Sequence, residues 1–85
     1  VPSYVSLSLG SAYFRSGRMP EAEKAYEEAV KSDPRAGEAH NNLAVVYFET
    51  GRYQEADQAV RAAEKAGVKV HPQLKADIAA KLKSN

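Results

Sequence analysis

Apolar residues recur every three or four positions along almost the whole chain, which is the spacing of one face of an α-helix. In the first segment this face comprises Val5, Leu9, Ala12 and Tyr13. Glycines and an Asp-Pro pair interrupt the pattern, as is typical of helix ends. The pattern predicts five helices, near residues 3–16, 20–32, 37–50, 53–66 and 72–83.

The pattern also repeats itself after 34 residues, the distance from Gly17 to Gly51. Further pairs at this distance involve leucine, aromatic residues, arginine and alanine. They are Leu9 and Leu43, Tyr13 and Tyr47, Phe14 and Phe48, Arg18 and Arg52, Ala22 and Ala56, and Ala29 and Ala63. A period of this length is typical of stacked helix pairs, each of which buries its apolar face against its neighbours. We therefore expect an all-α solenoid of antiparallel helix pairs, which the repeated alanines allow to pack closely.

The repeat divides the chain into two complete units and a last helix. The expected parts are a single domain at 1–85, repeat one at 3–36, repeat two at 37–70 and a capping helix at 71–84. In the last helix Leu74, Ile78 and Leu82 form an apolar face that covers the second repeat. The first helix has no such cover, and the chain begins without methionine. We therefore expect a fragment of a longer protein, or weak self-association through the first helix pair.

Composition and charge narrow the class of protein. Hydrophobic residues make up 44% of the chain and charged residues 27%, the balance of a globular protein. The net charge is +1 at pH 7, which gives no electrostatic reason to expect nucleic acid as a partner. No apolar run approaches the ~18 residues of a membrane-spanning helix, so no membrane insertion is expected. The compartment is left open, with the cytoplasm favoured, since a fragment can have lost an export signal.

The chain offers little of the chemistry that catalysis or metal binding requires. It contains no cysteine, and its two histidines, His40 and His71, have no partner at metal-ligand spacing. Glu27 and Glu28 are adjacent on a predicted helix, so they do not face one another as a catalytic carboxylate pair. We therefore expect no enzyme activity, no metal and no cofactor.

The repeated residues also match a known motif in their order. The first unit contains Leu9-Gly10, Tyr13, Ala22, Tyr26, Ala29 and Pro34, and the second contains Leu43-Ala44, Tyr47, Ala56, Val60 and Ala63. In this order they closely resemble the tetratricopeptide repeat family. The resemblance implies a right-handed α-solenoid that acts as a protein-protein interaction scaffold and binds a peptide or partner segment in a concave groove. The implied groove residues are Leu7, Ser8, Ser11, Phe14, Arg15, Asn41, Asn42, Val45, Phe48, Glu49 and Lys75.

Two features of the expected groove favour binding over a purely structural role. Asn41 and Asn42 offer amides that can hydrogen-bond a peptide backbone beside the apolar Val45 and Phe48. Phe14 and Phe48 each follow a tyrosine that takes the core position, and adjacent helix positions diverge by about 100°. The two phenylalanines should therefore lie at least partly on the groove wall.

Other functions stay open on the sequence alone. The repeats could be a regulatory or substrate-positioning segment of a larger enzyme, as in glycosyltransferases that carry such repeats, or a self-associating assembly module. The family's clamp for an acidic C-terminal tail is not expected. Leu7, Ser11, Pro72 and Ala76 stand where that clamp has lysine, asparagine or basic residues, and only Asn42 matches.

Overall fold

The protein is all-α in its computed structural model, which describes residues 2–84. The helices are α1 (Ser3–Arg15), α2 (Met19–Ser32), α3 (Gly37–Glu49), α4 (Tyr53–Lys65) and α5 (Pro72–Lys83). Residues 2–84 contain no strand. The five predicted helices are confirmed, and each end lies within one residue of its predicted position. Val1 and Asn85, the end residues of the predicted domain, lie outside the described range.

Neighbouring helices in the chain are neighbours in space. The closest packing is within two pairs, α1 with α2 and α3 with α4. The contact between α2 and α3 joins the pairs, α1 also reaches α3, and α5 packs on α4. This arrangement confirms the predicted helical-repeat solenoid.

The turns inside the two pairs have the same geometry because a glycine ends the first helix of each. Gly17 and Gly51 have φ of 77° and 79°, a left-handed conformation that glycine adopts without steric cost. A backbone hydrogen bond closes each turn. It measures 2.9 Å from Arg18 N to Tyr13 O and 2.8 Å from Arg52 N to Tyr47 O. Each turn therefore brings the arginine before the next helix back beside the repeated tyrosine.

The two helices of a pair approach closely at small residues. The buried ring of Tyr26 lies against Gly10, where a Cβ atom would come within 2.6 Å of the ring. The hydroxyl groups of Tyr26 and Ser11 lie 3.0 Å apart. The fully buried alanines include Ala22, Ala29, Ala44, Ala56 and Ala63. Their burial agrees with the close packing expected from the repeated alanines.

The segment after α4 closes the second pair. Val70 is buried, and Val68 lies against Gly37, where a Cβ atom would come within 2.5 Å of Val68 Cγ2. From there α5 packs on α4, with Ile78 buried and Leu74 partly buried. The apolar face of α5 thus covers α4.

The apolar face predicted for the first helix is largely outside the core. Val5 and Leu9 are 44% and 49% exposed, and Ala12 is exposed as well. The buried residues of α1 are instead Ser6 and Gly10. Helical spacing identifies residues that share a face but not whether another helix covers that face, and nothing in residues 2–84 covers this one.

Candidate functional site

The first helices of the two pairs, α1 and α3, carry ten of the eleven predicted binding residues. Six are half-buried at matching positions of the two helices: Leu7, Ser11 and Phe14 in α1, and Asn41, Val45 and Phe48 in α3. Of the other four, Asn42 is half-buried and Ser8, Arg15 and Glu49 are exposed. Residues at i, i+4 and i+7 share one side of a helix, and α1 contacts α3. We call the surface formed by these ten residues the first-helix face.

On the α3 side of the first-helix face, Asn41 and Val45 line a cleft of about 440 Å³. The opposite wall is the segment that leads into α5: Lys69, Val70, His71, Pro72 and Leu74. This α3–α5 cleft combines apolar walls with the Asn41 amide, which can both donate and accept hydrogen bonds. The sequence pattern did not identify the opposite wall, because the connection before α5 has no counterpart in the repeat.

The α1 side of the first-helix face is more closely bound to the core. The Ser11 hydroxyl group is within hydrogen-bond distance of Tyr26 OH, at 3.0 Å. Leu7 and Phe14 pack against the core. Leu7 is therefore only half-buried, whereas Tyr4, near the start of α1, is 70% exposed.

The repeated aromatic residues are not divided between core and groove as the sequence suggested. Tyr13 and Tyr47, expected in the core, are half-buried, and so are Phe14 and Phe48, expected at least partly on the groove wall. Phe48 packs against Tyr53 of α4, with 5.6 Å between the ring centroids. Each ring is long enough to span from the core to the surface, so both members of each pair are partly covered.

Lys75 does not belong to the first-helix face. Its Nζ atom lies 2.6 Å from Glu64 Oε2 of α4, on the side of α5 that packs against α4. Leu74 takes the place beside the α3–α5 cleft. The connection before α5, residues 66–71, is longer than the one before α3, residues 33–36. The 34-residue register is therefore lost in α5, and a shift of one position turns a helical side chain by about 100°.

A polar cluster joins α2 to the second helix pair. Tyr47 donates a hydrogen bond of 3.1 Å to Glu27 Oε2. The Arg52 guanidinium group lies over the Tyr47 ring, with Cζ 4.6 Å from the centroid. Arg52 also contacts the Glu23 carboxylate, and its Nε atom is 3.8 Å from Glu55. This cluster was not predicted, although the repeated Gly-Arg pair and two glutamates four positions apart were present in the sequence as signals.

Partial burial shapes the ionisation of this cluster. Burial, together with the hydrogen bond to Glu27, raises the pKa of Tyr47 to about 12. Burial also raises the pKa of Glu27, against the opposing effect of the bond from Tyr47. The hydrogen bond to Glu23 raises the pKa of Arg52 above its already high value. The cluster thus places the charged Arg52 side chain beside carboxylates and the neutral Tyr47. These contacts join α2 to α3 and to the start of α4.

The two histidines make local contacts. His40 Nε2 lies 2.9 Å from Pro34 O, and His71 Nδ1 accepts a hydrogen bond of 3.1 Å from Gln73 N. Within residues 2–84 no group of three or more His, Cys, Asp or Glu residues could hold a metal ion. Among the helices described, none is long and apolar enough to cross a membrane.

The chain was compared with known protein families, and the result agrees with the repeated helix pairs. The family model of the tetratricopeptide repeat matches residues 7–68, which extend from α1 to the end of the turn after α4. No curated protein is significantly similar to the chain in sequence.

Proposed function

The chain belongs to the tetratricopeptide repeat family, and we propose that it binds a segment of a partner protein on the first-helix face. Repeats of this family form protein-interaction modules and are typically non-catalytic.

The α3–α5 cleft carries this proposal. Binding sites for partner segments combine an apolar surface with a few polar groups that fix orientation. Val45, Val70 and Leu74 supply apolar surface, and Asn41 supplies an amide at the same place. We infer that an apolar side chain of the partner enters this cleft while Asn41 bonds to the partner's backbone.

The rest of the first-helix face extends the site along the two helices. Asn42 continues the polar surface beside Asn41, and Phe48 adds a half-buried ring one turn beyond Val45. Arg15 and Glu49 are exposed at the C-terminal ends of α1 and α3 and offer both signs of charge to a partner. Such rim charges act mainly on orientation and association rate.

Peptide selection tests the proposal. Peptides from a random library are selected on the 85-residue chain, and the tightest one is titrated against single variants by fluorescence anisotropy. Asn41→Ala and Val45→Asp should each weaken binding about tenfold, because both groups would line the contact. Lys24→Ala, on the exposed side of α2, is the matched control and should bind as the unmodified chain does. Equal affinities for all three variants would contradict the proposal.

A further inference from the structure

The contact between α2 and α3 has a polar part and an apolar part. On the polar side, Tyr47 and Arg52 hold the two α2 carboxylates, Glu27 at 3.1 Å from the tyrosine hydroxyl and Glu23 against the guanidinium group. On the apolar side, Leu43 shares a crevice with Val30 of α2. The α2 contribution is therefore two glutamates four positions apart, followed three positions later by an apolar residue.

The first helix pair repeats one half of this interface. Tyr13 and Arg18 stand 34 residues before Tyr47 and Arg52, and the glycine turn between them has the same geometry. Within residues 2–84 the only carboxylate paired with Arg18 is that of Glu21, in the first turn of α2, at 3.6 Å. No group in that range hydrogen-bonds to the Tyr13 hydroxyl group. Tyr13 and Arg18 therefore lack the two α2-type carboxylates that Tyr47 and Arg52 contact.

The apolar residues show the same difference. Leu9 is 49% exposed, whereas its counterpart Leu43 is 4% exposed. Val5 is 44% exposed, whereas its counterpart Ala39 is fully buried. We call the surface formed by Val5, Leu9, Ala12 and Tyr13 of α1, together with Arg18 in the turn that follows, the open face of α1. Its counterpart on α3 is covered on the side where α2 lies.

We propose that the open face of α1 binds an acidic amphipathic helix of a partner protein, with the pattern Glu-x-x-x-Glu-x-x-apolar. The first glutamate pairs with Arg18, as Glu23 pairs with Arg52. The second accepts a hydrogen bond from Tyr13, as Glu27 does from Tyr47. The apolar residue packs on Leu9, as Val30 packs beside Leu43.

A second copy of this chain does not supply such a helix. The matching surface of α2 is already covered by α3. In α4 the residues 34 positions after Glu23 and Glu27 are Asp57 and Arg61. Arg61 would stand where the second glutamate accepts the hydrogen bond of Tyr13, and a guanidinium group has no acceptor for that bond. The α4 surface is also covered by α5 through Ile78.

The chain itself provides the probe for this site. A peptide with the sequence of residues 19–32 carries Glu23, Glu27 and Val30 in the required pattern. A lactam bridge between Lys24 and Glu28, both exposed and four positions apart, keeps the short peptide helical, which it would not be unaided. The peptide is titrated into the ¹⁵N-labelled 85-residue chain and followed by NMR. We expect saturable shifts at Leu9, Tyr13 and Arg18.

Charge-reversal variants test whether the open face of α1 recognises the carboxylates of the peptide. Arg18→Glu should weaken the peptide about tenfold, and a peptide carrying Glu23→Lys should recover the loss. Arg35→Glu is the matched control, because Arg35 is exposed in the turn at the other end of α2; it should leave the affinity unchanged. Both variants are checked by circular dichroism for an intact helical fold.

Four results would overturn the proposal. The first is the absence of saturable binding, and the second is equal weakening by Arg18→Glu and Arg35→Glu. The third is a dimer of the free chain in sedimentation equilibrium that Arg18→Glu dissociates, because the occupant would then be a second copy. Shifts at Asn41 and Val45 without shifts on α1 would contradict this proposal and support the separate one for the first-helix face.

Discussion

Tyr47 of α3 donates a hydrogen bond of 3.1 Å to Glu27 of α2, and this bond crosses the boundary between the two helix pairs. Beside it, Leu43 and Val30 share a crevice at the same boundary. In repeat proteins such nearest-neighbour contacts contribute to stability separately from the folding of each unit. Residues at this boundary should therefore affect the unfolding of the whole chain.

Replacing Tyr47 by phenylalanine tests the hydrogen bond. The change keeps the ring beneath Arg52 and removes only the hydroxyl group. We expect the free energy of unfolding to fall by about 1 kcal/mol, measured by urea denaturation at neutral pH. Tyr4→Phe, at an exposed position on α1, is the control and should leave stability unchanged. If Tyr47→Phe is as stable as the unmodified chain, the bond contributes nothing.

The raised pKa of Tyr47 predicts a loss of stability at alkaline pH. Its pKa is near 10 in the unfolded chain and about 12 in the fold, so the fold favours the protonated form. The stability linked to this group is complete below pH 10 and is lost as the pH rises from 10 to 12. The pKa of Glu27 is also raised, but Glu27 titrates at acidic pH and therefore does not affect stability in the alkaline range where Tyr47 titrates.

The measurement is the difference in unfolding free energy between the unmodified chain and Tyr47→Phe, because other tyrosines titrate in both. This difference should shrink between pH 10 and pH 12. A difference that stays constant across this range would show that Tyr47 titrates as it does in the unfolded chain.

Close packing within the pairs makes the buried alanines sensitive to size. Ala56 is fully buried, so leucine at this position should overpack the contact and cost ~1–3 kcal/mol. Thermal unfolding followed by circular dichroism measures the effect. Ala80→Leu makes the same change at an exposed position of α5 and should leave the melting temperature nearly unchanged. Equal melting temperatures for the two variants would show that Ala56 has room for a larger side chain.

The helices could be predicted closely because the residues that end them act locally. Gly17 and Gly51 fix the turns through their own backbone conformation, and Pro72 marks the start of α5. The repeat then identified α1 and α3 as equivalent, and the family resemblance implied ten candidate residues on these two helices. Local rules of this kind need no knowledge of how the pairs are packed.

The features that were missed depend on packing between elements. The spacing of Leu9 predicted a shared apolar face, but its exposure depends on a neighbouring helix. Lys75 was implied by the family resemblance, which assumes that the 34-residue register continues into α5, and the longer connection before α5 breaks that register. The Arg52 cluster combines residues from three helices, and its contacts with Glu23 and Glu27 follow only from the way α2 crosses α3.

The first-helix face should not bind an acidic C-terminal tail. Ser11 is engaged with Tyr26, Lys75 is paired with Glu64, and Ala76 offers no charge. A terminal carboxylate would therefore lack the charge-assisted hydrogen bonds that hold such tails. The peptide Met-Glu-Glu-Val-Asp should bind no tighter than about 1 mM in isothermal titration calorimetry. Micromolar affinity that is lost when the peptide is C-terminally amidated would contradict this prediction.

The most direct test of the proposed function is chemical-shift mapping of the tightest selected peptide on the ¹⁵N-labelled chain. We predict that the largest changes occur at the Asn41 side-chain amide, at Val45 and along residues 69–74, which form the α3–α5 cleft. Smaller changes should continue along the first-helix face toward Phe48. Largest changes on the outer sides of α2 and α4, at residues such as Lys24 and Gln58, with an unperturbed α3–α5 cleft, would contradict the account.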